Sequence, residues 1–125
     1  MKKIVVDTNF LLLPLQFNIN IFSEIEGLML EPYVIIVPSG VLRELRKLSS
    51  KKGKDGRAAL FALKTLGEKG VSIEKSSGGV DDWLCEYAKR NKAVVCTNDI
   101  NLRNRLKGKN IKVIAMKGKS KLAFC

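Results

Sequence analysis

Short runs of uninterrupted apolar residues, separated by longer amphipathic stretches, constrain this chain more than any other feature. Ile4-Val5-Val6, Tyr33-Val34-Ile35-Ile36-Val37 and Ala93-Val94-Val95-Cys96 show no alternation of apolar and polar residues. A strand with one wet face alternates; a strand without alternation is covered on both faces, as in a parallel sheet. The segments between them repeat apolar residues at helical spacing: Ile19, Phe22, Ile25, Leu28 and Met29 within 18–30, and Ala59, Leu60, Leu63 and Leu66 ahead of Gly70. Ser39 can cap a helix over 40–48, and two further helices are predicted over 80–91 and 98–106. Val71-Ser72-Ile73 and Ile111–Ala115 read as additional strands. The expected fold is α/β, a three-layer α/β/α sandwich with a central parallel sheet.

Residues 49–56 read as a mobile basic loop and 76–79 as a flexible connection. The expected organisation is one domain over 1–115, followed by a basic, partly loose tail over 116–125.

Composition removes several classes of chemistry. There is no histidine, which excludes Ser-His, Cys-His and His-metal sites. Cys85, Cys96 and Cys125 have neither the number nor the spacing of a disulfide framework or a zinc site. No apolar stretch approaches the roughly 18 residues of a membrane span. Asp7 interrupts the first apolar run too early for a signal peptide. The expected location is the cytoplasm. A net charge of +11 points to a polyanionic partner.

Four acids have placements that suggest a shared site. Asp7 ends the first strand, and Asp99 follows Cys96-Thr97 in the same relation. Ligand sites of open α/β sheets lie outside the carboxyl ends of the strands. On the 40–48 helix, Val41, Leu42, Leu45 and Leu48 form the apolar stripe and Glu44 borders it. On the 80–91 helix, Asp81 aligns with Leu84 and Ala88 beside the buried face, whereas Asp82 points away. Three of them also have a local explanation: Glu44 can be a solvated rim residue, Asp99 can cap a helix, and Asp81, like Asp82, suits a positive helix N-terminus. If the four converge, they cannot all stay ionised without a cation between them. An all-oxygen donor set suits Mg²⁺ or Mn²⁺.

The ordered set Ile4-Val5-Val6-Asp7-Thr8-Asn9, Val41-Leu42-Arg43-Glu44-Leu45, Val80-Asp81-Asp82-Trp83-Leu84 and Val95-Cys96-Thr97-Asn98-Asp99 resembles the PIN-domain nucleases. That family includes the VapC toxins and the nucleases that process small-subunit pre-rRNA. The resemblance covers nearly the whole chain. It implies an acidic quartet of Asp7, Glu44, Asp81 and Asp99, with Thr97 supporting the last acid and Thr8 and Asn9 ordering the first. Asp82 joins the supporting group. The implied activity is metal-dependent endoribonuclease cleavage of RNA, as a VapC-like toxin or an rRNA-processing enzyme. Asp7, Asp99 and Asp81 would be the main metal ligands; Glu44 would hold a second ion or orient the attacking water. Implied partners are RNA, an antitoxin or ribosome-assembly protein, and a second copy of the chain.

The RNA-binding candidates are Arg43, Arg46, Lys47, Lys51, Lys52, Lys54 and Arg57, with Arg103 and Arg105 opening a second basic run that extends to Lys121. Phosphate contacts of this kind give affinity and salt sensitivity, with little sequence information. The rival reading is a non-catalytic RNA-binding or ribosome-assembly module of the same fold. A third reading is a phosphotransfer protein of receiver or haloacid-dehalogenase type; the dehalogenase pattern is disfavoured, because Asn9 stands where it needs a second aspartate. No G-x-G-x-x-G follows any strand, which speaks against dinucleotide binding.

Overall fold

The strands feed two separate cores. The structure, a computed structural model, describes residues 1–125. Its sheet contains β1 (Lys2–Val6), β2 (Tyr33–Pro38), β3 (Ser72–Glu74), β4 (Val94–Cys96), β5 (Val113–Lys117) and β6 (Lys121–Phe124). Ile4 and Val6 of β1 join a core with Ile35, Val37, Val94, Cys96 and Ile114. Val5 faces the opposite way, into a second core with Ile36, Val95 and Val113. This two-sided burial is why the runs carry no polar residue.

The strand order is β3-β2-β1-β4-β5-β6, with β1 near the centre. All pairings are parallel except β5 with β6. One layer holds α1 (Thr8–Phe17), α2 (Ile21–Leu28), α3 (Ser39–Ser49) and α4 (Lys54–Glu68); the other holds α5 (Val80–Asn91) and α6 (Ile100–Gly108). The three-layer α/β/α architecture is the one expected. No helix is long and apolar enough to cross a membrane.

Three local expectations are corrected. The segment over 116–125 is no loose tail. Ala115 pairs with Ala123 and Met116 with Leu122, and the Leu122 amide donates to Glu24 Oε1 at 3.0 Å. Burial of Leu122 and that tether on α2 outweigh the solvation of the lysines around it. The sheet is therefore mixed.

Helix α1 was not anticipated. Phe10, Leu11, Leu12 and Leu13 are all buried, so the helix shows no periodic stripe, and Pro14 lies inside it.

The expected basic loop is also shorter, because α4 begins at Lys54. Gly56 permits the tight entry: a Cβ there would meet the Lys51 carbonyl oxygen at 1.9 Å.

Candidate metal and nucleic-acid site

Asp7 leaves β1 at the point where its amide still bonds the Cys96 carbonyl across the sheet, at 3.2 Å. The chain then turns into α1, and Asp7 caps that helix by accepting from the Phe10 amide at 2.8 Å. Its second carboxylate oxygen accepts from the Thr97 hydroxyl. The same hydroxyl accepts from the Asp99 amide at 3.1 Å, so Thr97 joins the ends of β1 and β4. Asp99 caps α6, accepting from the Asn101 and Leu102 amides through one oxygen and leaving the other free.

Glu44 reaches the same edge from α3, where it accepts from the Thr8 hydroxyl. Thr97 thus holds the Asp99 amide, as the resemblance implies, and also donates to Asp7, whereas the Thr8 side chain donates to Glu44 rather than to the first acid. Asp81 and Asp82 begin α5. The position of α5 against α3 is fixed by a serine clasp. The Ser76 hydroxyl accepts from the Gly40 amide at 2.8 Å, and the Ser76 amide donates to the Ser39 hydroxyl at 2.9 Å. A flexible connection was expected here, since nothing local in Ser76-Ser77-Gly78-Gly79 signals a partner 37 residues away.

These elements open one cleft of about 810 Å³ at the carboxyl edge of the sheet. Asp7, Glu44, Asp81, Asp82 and Asp99 all line it, together with Thr8 and Asn9. Of the nine basic candidates, Lys47, Lys51 and Arg105 line the cleft. Arg43, Arg46, Lys52, Lys54, Arg57 and Arg103 do not, and Lys54 and Arg57 border a separate cavity beside Leu15. Arg105 pairs with Asp82 at 2.8 Å, the single ion pair of the molecule. The two neighbouring acids of α5 therefore differ in state: Asp82 has a cation, and Asp81 has none within pairing distance.

The electrostatics show uncompensated negative charge. Asp7, only 5% exposed, is pushed from its ordinary 3.8 to about 6. Burial is the main cause, the bonds from Thr97 and Phe10 oppose it, and Asp81 and Asp99 add repulsion. Asp81 is also raised, first by burial and then by Asp99, with Arg105 opposing and Glu44 and Asp82 adding to it. Mutual influence of this kind means that the acids share one field.

No three acidic side chains close into a ready-made cage. The donor set nevertheless fits a hard divalent cation. It offers oxygen alone, and Mg²⁺ keeps several waters and needs only one or two carboxylates. Each Asp7 oxygen has one protein donor and a second lone-pair direction to spare.

Comparisons with known proteins agree with this architecture. Residues 4–119 match the family described as "PIN like domain". The chain is 32% identical to Ribonuclease VapC4 of Methanocaldococcus jannaschii over 123 residues, covering 95% of this chain and 93% of that protein. It is 34% identical to Ribonuclease VapC9 of Archaeoglobus fulgidus over 110 residues, covering 87% and 78%. Among solved structures, the PIN domain endonuclease Utp24 superposes with a TM-score of 0.81 at 22% identity, covering 98% of this chain and 90% of that one. VapBC2 from Rickettsia felis, bound to a DNA fragment from its promoter, superposes at 0.64 with 18% identity, covering 92% and 99%. At those identities the two structures speak for the fold alone. The match across nearly the whole length and the two ribonuclease relatives settle the classification: this chain belongs to the PIN-domain family.

Proposed function

We propose that the chain is a metal-dependent endoribonuclease of the VapC type, hydrolysing RNA phosphodiester bonds in the cleft at the carboxyl edge of the sheet. The observation that carries this reading is the gathering of Asp7, Glu44, Asp81 and Asp99, from four separate elements, around one space. Two relatives above 30% identity named as VapC ribonucleases support the choice of type. The likeness to Utp24 is one of shape, so an rRNA-processing role rests on the fold and the basic surface.

Asp7, Asp81 and Asp99 would hold Mg²⁺ or Mn²⁺, directly or through water. A bound divalent ion lowers the pKa of a coordinated water and offsets charge that builds on phosphate oxygens. The remaining work falls to side chains. The Thr8 hydroxyl fixes one oxygen of Glu44, leaving the other to orient the attacking water and accept its proton. Thr97 holds the Asp7 carboxylate in one orientation and favours its ionised form. Lys47 and Lys51 flank the Glu44 side of the cleft and Arg105 the Asp81 side, where they would hold nonbridging phosphate oxygens. Asp82 keeps the Arg105 guanidinium beside the cleft in the absence of RNA. Partners on this reading are RNA, an antitoxin and a second copy of the chain.

Cleavage of a mixed RNA pool in Mg²⁺ tests the proposal. Chelator should abolish activity, and Asp7→Asn should lower kcat by at least about 100-fold while the protein stays folded. Chelator-resistant cleavage, or full activity in Asp7→Asn, removes the mechanism; RNA binding without any turnover favours the non-catalytic module. Growth arrest on expression, relieved by an adjacently encoded protein, distinguishes the toxin role from rRNA processing.

A further inference from the structure

A basic cavity lies at the end of the sheet opposite the acidic cleft. It occupies about 340 Å³ and is lined by Lys2, Lys89, Lys92, Lys109 and Lys112, with no acidic residue. Lys2 opens β1, Lys92 and Lys112 precede β4 and β5, and Lys89 and Lys109 end α5 and α6. Lysines at helix C-termini are ordinarily explained by the helix dipole. That explanation covers Lys89, Lys92 and Lys109 and leaves Lys2 and Lys112 without one. None of the five has an ion-pair partner, since the only pair in the molecule is Arg105 with Asp82. Five unpaired ammonium groups around one concavity repel one another unless an anion shares it.

The apolar lining is Ala88, Ala93 and Ile111, with no aromatic ring to anchor a protein side chain. Lysine is a point charge suited to phosphate. We infer that this cavity is a distal anchor for an RNA backbone, remote from the site of cleavage. The inference rests on the proposed ribonuclease reading and narrows its substrate class.

The anchor and the cleft are separated by the length of β1. From Lys2 to Asp7 the strand rises about 17 Å. Since β1 is covered on both faces, an RNA must pass over a helix layer and needs more than the roughly five nucleotides that the straight line would take at about 3.4 Å per phosphate. The preferred substrate is therefore an RNA long enough to run from one edge of the sheet to the other. A tetranucleotide fills the cleft and cannot reach the lysines.

Lys89, Lys109 and Lys112 are exposed, so a triple Lys→Gln variant should fold. Wild type and variant are compared on a tetranucleotide pool and on RNA of about thirty nucleotides. Binding of the longer RNA to both proteins is measured over a salt series, in chelator so that no cleavage intervenes. The expected result is unchanged cleavage of the short pool, with KM for the longer RNA raised roughly tenfold. The slope of log affinity against log salt should fall by about 2, and a triple Lys→Arg variant should restore both. An unchanged KM and salt slope for the long RNA overturns the anchor, whichever other anion occupies the cavity. Absence of cleavage by the wild type would remove the nuclease reading alone, because the salt slope still reports on the lysines.

Discussion

The Thr97 hydroxyl donates to Oδ2 of Asp7 across a sequence separation of 90 residues. Through the same oxygen it receives the Asp99 amide, so one side chain sets the geometry between two acids of the cleft.

Thr97→Val should therefore act through Asp7. The lost bond is one of the two that hold the Asp7 pKa down, so the carboxyl should ionise only at still higher pH. At subsaturating Mg²⁺, where a proton would compete with the ion for Asp7, the acidic limb of the pH–rate profile should move upward, with the deficit largest at its acidic end. Thr97→Ser should return the limb to its original position. A uniform loss at every pH would instead mean that the hydroxyl serves only packing.

Asp7 also sets a pH dependence of stability in metal-free protein. Its folded pKa lies above its unfolded value, so the folded state holds the proton more tightly. That contribution is complete below about pH 4 and is lost as pH rises to about 6, amounting to about 3 kcal/mol. Urea titrations in chelator should show stability falling over that interval. Asp7→Asn should flatten the curve and raise stability at pH 7 while abolishing cleavage. A wild-type curve that is flat or rises over the same interval contradicts the assignment.

The adjacent acids of α5 should separate cleanly. Asp81 lacks a cation within pairing distance and faces Asp99 and Glu44, so Asp81→Asn should lower kcat by about 100-fold or more. Asp82→Asn removes only an exposed partner of Arg105 and should leave the thermal midpoint unchanged. Its effect should fall on KM, since Arg105 loses its resting place. Equal kcat losses in both variants would contradict the distinction.

Gly56→Ala should destabilise the fold by about 1–3 kcal/mol, because a methyl group would overlap the Lys51 carbonyl. Lys51 lines the cleft, so a rise in KM for RNA should accompany the lower urea midpoint. Gly67→Ala, where a Cβ meets nothing within 4 Å, is the matched control.

The sequence is most readable where one physical rule acts alone. Ile4–Val6 and Val94–Cys96 are covered on both faces, and continuous apolar character is the direct record of that. Glu44 and Asp81 are similarly legible, since both sit beside a helical stripe that the core must bury. Helix α1 is obscured because packing on several sides removes its period and Pro14 argues against a helix. Strand β6 is hidden because a solvated edge strand looks like a basic tail until Leu122 and Glu24 are seen together. The bonds from Thr8 to Glu44 and from Thr97 to Asp7 depend on side-chain directions at the sheet edge, which residue order does not encode. The clasp of Ser39 and Ser76 is tertiary for the same reason.

The central place of β1, between an early neighbour and a late one, bears on how such a chain is made. During vectorial synthesis β1 and β2 emerge first, and the segment carrying Thr97 and Asp99 comes much later. A nascent polypeptide cannot complete the acid-lined cleft until that segment has left the exit tunnel and inserted beside β1. On the proposed reading, activity would therefore wait for the insertion of β4 beside β1.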